Sequence, residues 1–432
     1  MSLVVFQNTH AEPADSAVSK TVVYAGATVI DGDPTIERRN VVIRTQGNQI
    51  IAVQPADGFH PESSWEIVDV SGKFVIPGLI NTHVHLATSP NPEIAKVYLR
   101  RELYSGVTTV RDMAGDARLL SELKREAEFD EIASPDIYYA ALMAGPGFFV
   151  DPRTHESSRG RVAGHVPWMQ AITARTDLRL AVAQARATDA TGIKIYADLS
   201  AALVKAITME AHHQNMLVWA HAAVFPARPS DVIDAGVDVV SHADFVAYQL
   251  SEHMPESFES MTAVDPRAWH AQPEMTALFK RMRTRGTILD ATIDVGYRYP
   301  SSKWPAGMAA FITGEAYRQG VNISTGTDDD PDWTDTDSVL DSEIVRLVRD
   351  AGMTPADVIR SATVIGARTV GQKKTRVAID AGKLANMVVL NKNPLDDIDN
   401  IRSIAFVVKH GIRYQRSQYK PVSVEEMKRA AH

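Results

Sequence analysis

Eight short runs of apolar and β-branched residues recur between residues 75 and 328, most of them separated by helix-like stretches. They are VIPGLINTHVHL (75–86), GVTTVRD (106–112), DIYYAAL (136–142), GIKIYAD (192–198), MLVWAHA (216–222), VDVVSHA (237–243), GTILDATID (286–294) and VNISTGTD (321–328). Continuous apolar runs of this length suit strands buried on both faces, and parallel neighbours need a crossover, usually a helix. SAALVKAITMEAHHQN (200–215) reads as such a helix, with Ser200 as its cap and Leu203, Val204 and Ile207 on one stripe. Further on, Gly352 ends one helix, Thr354 caps the next and Pro355 opens it. Eight strand–helix units across residues 75–373 predict a (β/α)8 barrel, a fold of typically ~250 residues before insertions. An open doubly wound sheet would need a phosphate-binding glycine fingerprint after an early strand, and the sequence has none.

The two ends have a different texture. Residues 21–74 are short β-rich segments punctuated at Asp31-Gly32 and Gln46-Gly47-Asn48, and residues 374–420 repeat the pattern with a turn at Lys409-His410-Gly411. Neither piece has strands enough for its own core, so the expectation is one small β-sandwich domain built from both ends. Residues 1–20 read as an arm or linker, with an export-signal remnant left open. Two long connections, 143–191 and 243–286, are expected to shape or cover a site.

Composition narrows the function. The 432 residues carry a formal charge of −8 and no basic block, which argues against nucleic acid as a partner. No apolar run reaches the ~18 residues of a membrane-spanning helix. Zero cysteines remove thiolate nucleophiles and Cys-ligated zinc, and leave cytoplasm and periplasm equally open. The expected partner is a small-molecule substrate; homo-oligomer formation stays open.

The chemistry gathers at the C-terminal ends of the predicted strands. His83 and His85 alternate onto one face of the first strand, as two ligands of one metal would. In Gly192-Ile193-Lys194-Ile195-Tyr196 the isoleucines share one face, which leaves Lys194 and Tyr196 on the other, inside the barrel. A bare ammonium there is costly, so Lys194 is either paired with a carboxylate such as Asp328 or deprotonated and carboxylated to a metal-bridging carbamate. His221 and His242 end the fifth and sixth strands, whereas His212 and His213 fall on the predicted helix and read as solvated. Of Asp328, Asp329 and Asp330, position favours Asp328 as the chemical residue, the other two reading as solvated loop acids.

In this order the residues resemble the amidohydrolase superfamily. PGLINTHVH (77–85) fits its opening P-G-x-I-x-x-H-x-H segment, GVTTVRD its second strand, and the lysine strand, His221, His242 and Gly326-Thr327-Asp328 follow in sequence. The tail GKLANMVVLNKNPLDDI is similar to the family's, with Asn386 where an aspartate is usual. GIKIY and MTPADVIRSATVIGA resemble the branch of Xaa-Pro dipeptidases, arginine and lysine carboxypeptidases and ochratoxin-type amidases.

The resemblance implies two divalent ions, zinc by default: one on His83, His85 and Asp328, the other on His221 and His242, bridged by carboxylated Lys194. It also implies a shared hydroxide as nucleophile, with Asp328 carrying its proton to a leaving nitrogen. The reaction expected is cleavage of an amide-type C–N bond in a dipeptide, an N-acyl amino acid or a related amide. A lactonase or phosphotriesterase-like activity and a one-metal deaminase or imidazolone-type hydrolase are the alternatives. Tyr196 and His155 are expected to touch substrate, with Arg153, Tyr297 and Arg298 as weaker candidates. Ser241 and Ala243 replace the glutamate and glycine that often flank the sixth-strand histidine.

Overall fold

The computed structural model describes residues 20–31, 37–300, 303, 305–333, 336–376 and 378–431. The expected arm 1–20, Lys20 excepted, and Gly32 lie outside the described residues. Parallel strands Leu79–Val84, Val107–Asp112, Asp136–Ala144, Gly192–Ile195, Leu217–His221, Val239–Ser241, Ile288–Asp290 and Ile323–Ser324 follow one another around a barrel, numbered here one to eight. The Thr82 N–H donates to the Thr325 carbonyl at 2.8 Å and Val84 bridges Asp329, so the eighth strand closes on the first. All eight predicted runs form strands, each shorter than its apolar run except the third, which continues to Ala144. The seventh stops at Asp290 because Thr292 turns left-handed (φ 48°) and starts the helix Ile293–Arg298.

The helices obey local rules. Ala201–His213 starts at Ser200, whose side chain accepts from the Leu203 N–H, and it buries Val204 and Ile207. Thr354 caps the Asp357 N–H ahead of Pro355, as expected, although the helix widens into a π turn at Ser361–Ile365.

Both chain ends supply one mixed sheet, in the order Ile412–Gln415, Ile404–Lys409, Met387–Leu390, Phe74–Pro77, Thr21–Ile30, Glu37–Gln46, Gln49–Pro55, with Glu66–Asp69 beside Thr21–Ile30. It encloses its own core of Tyr24, Val29, Ile43, Val75, Met387 and Val408 among others. His410 (φ 52°) and Gly411 (φ 79°) make the tight turn expected there. A C-terminal helix, Val424–Ala430, was not foreseen; it docks on the helix Pro92–Tyr104 through Arg100–Glu426 at 2.6 Å and Arg429–Glu93 at 2.7 Å.

A buried charge network ties this sheet to the barrel. Lys409, fully buried, reaches Asp130 at 2.7 Å, Asp136 at 3.1 Å and the Ala127 carbonyl. Asp136 also meets His410 at 3.1 Å and Arg376 at 2.5 Å. Burial alone would raise its pKa, but these cations hold it below the carboxylate range. Removing one partner strands buried charge, so Lys409→Met is expected to lose about 3 kcal/mol of unfolding free energy, read as a lower urea midpoint.

Candidate metal centre

Five side chains meet at the floor of a cavity at the C-terminal mouth of the barrel. His83 and His85 leave the first strand on one side, with ring centroids 5.3 Å apart. The His242 ring stands 5.1 Å from His83 and 4.8 Å from His221. The Asp328 carboxylate lies 2.9 Å from His85 Nε2 and 3.2 Å from His83 Nε2. Ligand atoms of His83, His242 and Asp328 fall within 4.8 Å of one another, so the tightest triad draws one histidine from each of the two expected ligand sets. His242 (φ 71°), Thr292 (φ 48°) and Asp328 (φ 51°) all hold left-handed backbones, which cost of order 1–3 kcal/mol each and gather at functional sites.

Lys194 faces inward, as the alternation predicts, and is fully buried. Its Nζ has no hydrogen-bond partner among the described residues, and neither has the buried Nδ1 of His221. Burial, with the Arg111 cation nearby, pulls the Lys194 pKa down to about 7. Burial lowers His242 to about 3 and holds His221 well below the usual imidazole range, so both rings are neutral and available as ligands near pH 7. For Asp328 burial opposes ionisation, but His83 and His242 with bonds from His83 and His85 keep its pKa well below the carboxylate range. Neutral imidazoles, an ionised carboxylate and two orphaned nitrogens are a donor set that fits divalent cations.

Asp290 went unnoticed in the sequence. It is fully buried at the end of the seventh strand and accepts from His83 Nδ1 at 2.8 Å, Arg111 at 3.0 Å, Thr82 at 2.7 Å and Ser241 at 3.0 Å. The bond to Nδ1 turns His83 Nε2 towards the centre. Burial would raise the Asp290 pKa, yet His83 and Arg111 bring it down to about 2. Gly326 crosses directly beneath: a Cβ there would sit 2.3 Å from Asp290 Oδ1 and 2.5 Å from His83 Cβ. The only advance signal for Asp290 and Arg111 was a charge within an apolar run, TILD and TTVRD.

The expectation that Asp329 is solvated is overturned. The eighth strand spans two residues, and the chain then runs on beside the first strand, which carries Asp329 inward to 2% exposure. Its carboxylate accepts from Tyr98 at 3.0 Å and from the Thr327 hydroxyl, and its carbonyl from the His85 N–H. Asp330 is exposed but stands on the cavity rim. His212 meets Asp238 at 3.0 Å on the surface and the His213 side chain is 79% exposed, both away from the centre.

The cavity holds about 320 Å³. Tyr196 lines it, 4.0 Å from the His221 ring and 4.3 Å from Phe148 between centroids. The long connections supply its walls, Phe148 and Met169 from one and Phe245 and Phe258 from the other. His155 points to solvent from the short helix Pro152–Glu156, while Arg153 and Thr154 line the cavity, because one helical turn cannot face both sides. Tyr297 packs on Arg346 and Arg298 pairs with Asp294, so Val295, Gly296 and Tyr299 form that wall instead.

The amidohydrolase family model matches residues 74–413. The chain belongs to the amidohydrolase family. It is thus a metal-dependent hydrolase, and no helix among its described residues is long and apolar enough to cross a membrane. Among solved structures, this amidohydrolase resembles a Xaa-Pro dipeptidase with bound methionine (TM-score 0.72, 22% identity, 92% of this chain and 100% of that one). It also resembles A. niger ochratoxinase (TM-score 0.71, 20% identity, 92% and 96%). At those identities the likeness is one of fold. A 5-methylthioadenosine/S-adenosylhomocysteine deaminase from Bacillus cytotoxicus is 37% identical over 71 residues, and the chain spans 15% of that relative's length.

Thr292 donates to or accepts from His242 Nδ1 at 3.0 Å, fixing the ring as Asp290 fixes His83. Thr292→Val is therefore expected to weaken divalent-ion binding about tenfold in a chelator competition, with the melting temperature little changed.

Proposed function

We propose that this amidohydrolase cleaves an amide-type C–N bond in a small substrate, such as a dipeptide or an N-acyl amino acid, at a centre of two divalent ions. The observation that carries the reading is Lys194. A fully buried amine without a hydrogen-bond partner, beside His221 and His242, is unfavourable as it stands. With its pKa near 7 much of it is uncharged at neutral pH, and an uncharged amine adds carbon dioxide through its nitrogen lone pair, releasing one N–H proton to solvent. The resulting carbamate is an anion with two oxygens. It would bridge one ion on His83, His85 and Asp328 and another on His221 and His242, zinc being the default for such ligands.

Bound cations supply Lewis acidity, which brings water's pKa towards neutrality and polarises a carbonyl. The chain's own residues do the rest. Asp328, ionised and hydrogen-bonded to two imidazoles, takes a proton on its carboxylate oxygen and returns it to the leaving nitrogen. Phe148, Phe245 and Phe258 exclude water from the reacting bond. Tyr196 bounds the acyl pocket beside His221. A cavity of about 320 Å³ is large enough to take a substrate of dipeptide size.

A one-ion deaminase is the second reading, favoured by the compactness of the His83–His242–Asp328 triad and by the short match to the deaminase. Elemental analysis separates the two: the two-ion reading expects about two ions per chain, and a stable value near one supports the deaminase. Reloading after chelation should improve with bicarbonate in the native protein and not in Lys194→Ala. Equal loading and activity in that variant would dispose of the carbamate. Asp328→Asn should keep the fold by circular dichroism and lose about 10²–10⁴-fold in kcat against a cleaved dipeptide.

A further inference from the structure

Two acids that line the cavity meet no cation among the described residues: Asp330, exposed on the rim, and Asp244, which is partly buried. Asp290 has Arg111, Asp151 has Arg153, and Asp294 has both Arg298 and Arg346. Asp328 meets two histidines, and Asp329 is bonded by Tyr98 and Thr327. Asp244 lines the same cavity, and its Oδ1 accepts only the backbone N–H of Phe245, at 3.0 Å. No side chain among the described residues is hydrogen-bonded to it.

The left-handed turn at His242 puts Asp244 there. The chain leaves the sixth strand at φ 71°, and Asp244 faces the cavity two residues on, beside the Phe245 ring. Arg153 follows the third strand. Three steps around an eight-stranded barrel separate the two, so they occupy different sides of the cavity mouth. Asp151 grips the Arg153 guanidinium at 2.6 Å and neutralises it, whereas no cation among the described residues pairs with Asp244. An unpaired carboxylate against an aromatic wall is costly in the free protein, and a charge-assisted bond to a ligand is correspondingly favourable.

We propose that Asp244 is a specificity-determining residue that receives a primary ammonium group of the substrate. In catalysis this rests on the amide-hydrolase reading, and it narrows that reading to amides carrying a free amine. A dipeptide with an open N-terminus fits; its N-acetylated counterpart does not.

The test uses two matched pairs on metal-loaded protein of equal metal content. The first is a dipeptide and its N-acetyl derivative, compared by kcat/KM. The second is leucine and 4-methylpentanoate, which differ in one ammonium, compared by titration calorimetry without turnover. The native protein should prefer the amine-bearing member of each pair by at least about tenfold. Asp244→Asn should shrink both preferences about tenfold, through KM more than kcat, while Asp330→Asn on the rim should not. Preferences that are absent, that survive in Asp244→Asn, or that disappear in Asp330→Asn overturn the assignment. If neither dipeptide is cleaved while the calorimetric preference behaves as expected, the amide reading falls and Asp244 keeps its role. If both dipeptides are cleaved alike and both ligands bind alike, the amide reading stands and the Asp244 assignment falls.

Discussion

One buried carboxylate organises the mouth of this barrel. Asp290, on the seventh strand, binds Thr82 and His83 of the first, Arg111 of the second, Ser241 of the sixth and, at 3.4 Å, Ser324 of the eighth. Five of eight strands are thus tied through two oxygens in a dry interior. An uncompensated charge there would cost several kcal/mol, so the same bonds that satisfy Asp290 also dictate strand spacing and the His83 tautomer. The geometry of the candidate ligands follows from that constraint: His83 presents Nε2, Asp328 approaches it, and Gly326 leaves space for both.

Around this staple the barrel tolerates local strain. The left-handed backbones at His242, Thr292 and Asp328 sit where strands end and loops begin, and closure from Thr325 to Thr82 over-determines them. Asp329 reinforces the arrangement from behind, anchored by Tyr98 of the first helix and carrying the His85 amide on its carbonyl. The long connections are not strained in this way. They lay aromatic rings over the centre and add two ionisable groups, Arg153 and Asp244, to the cavity lining.

Much of this was legible in the residue order. Strand alternation placed Lys194 inward and His83 with His85 on one face, since the period of two is a property of the extended backbone. Helix caps at Ser200 and Thr354 were equally readable, because they depend on neighbours three residues away. What failed shared one cause. Asp329 was read as solvated and His155 as facing substrate because a loop residue's environment is set by segments distant in sequence.

The sequence alone determined the eight parallel strands, the β-rich ends and the six residues on which a two-metal centre would rest. Those follow from periodicity and residue chemistry, which act locally. Only the tertiary structure decided that Asp290 would staple five strands, that Asp329 would be buried and Asp330 not, and that Asp244 would meet the cavity without a cation. Each depends on which side chains converge across gaps of tens to hundreds of residues, and burial and charge pairing exist only once those distances have closed.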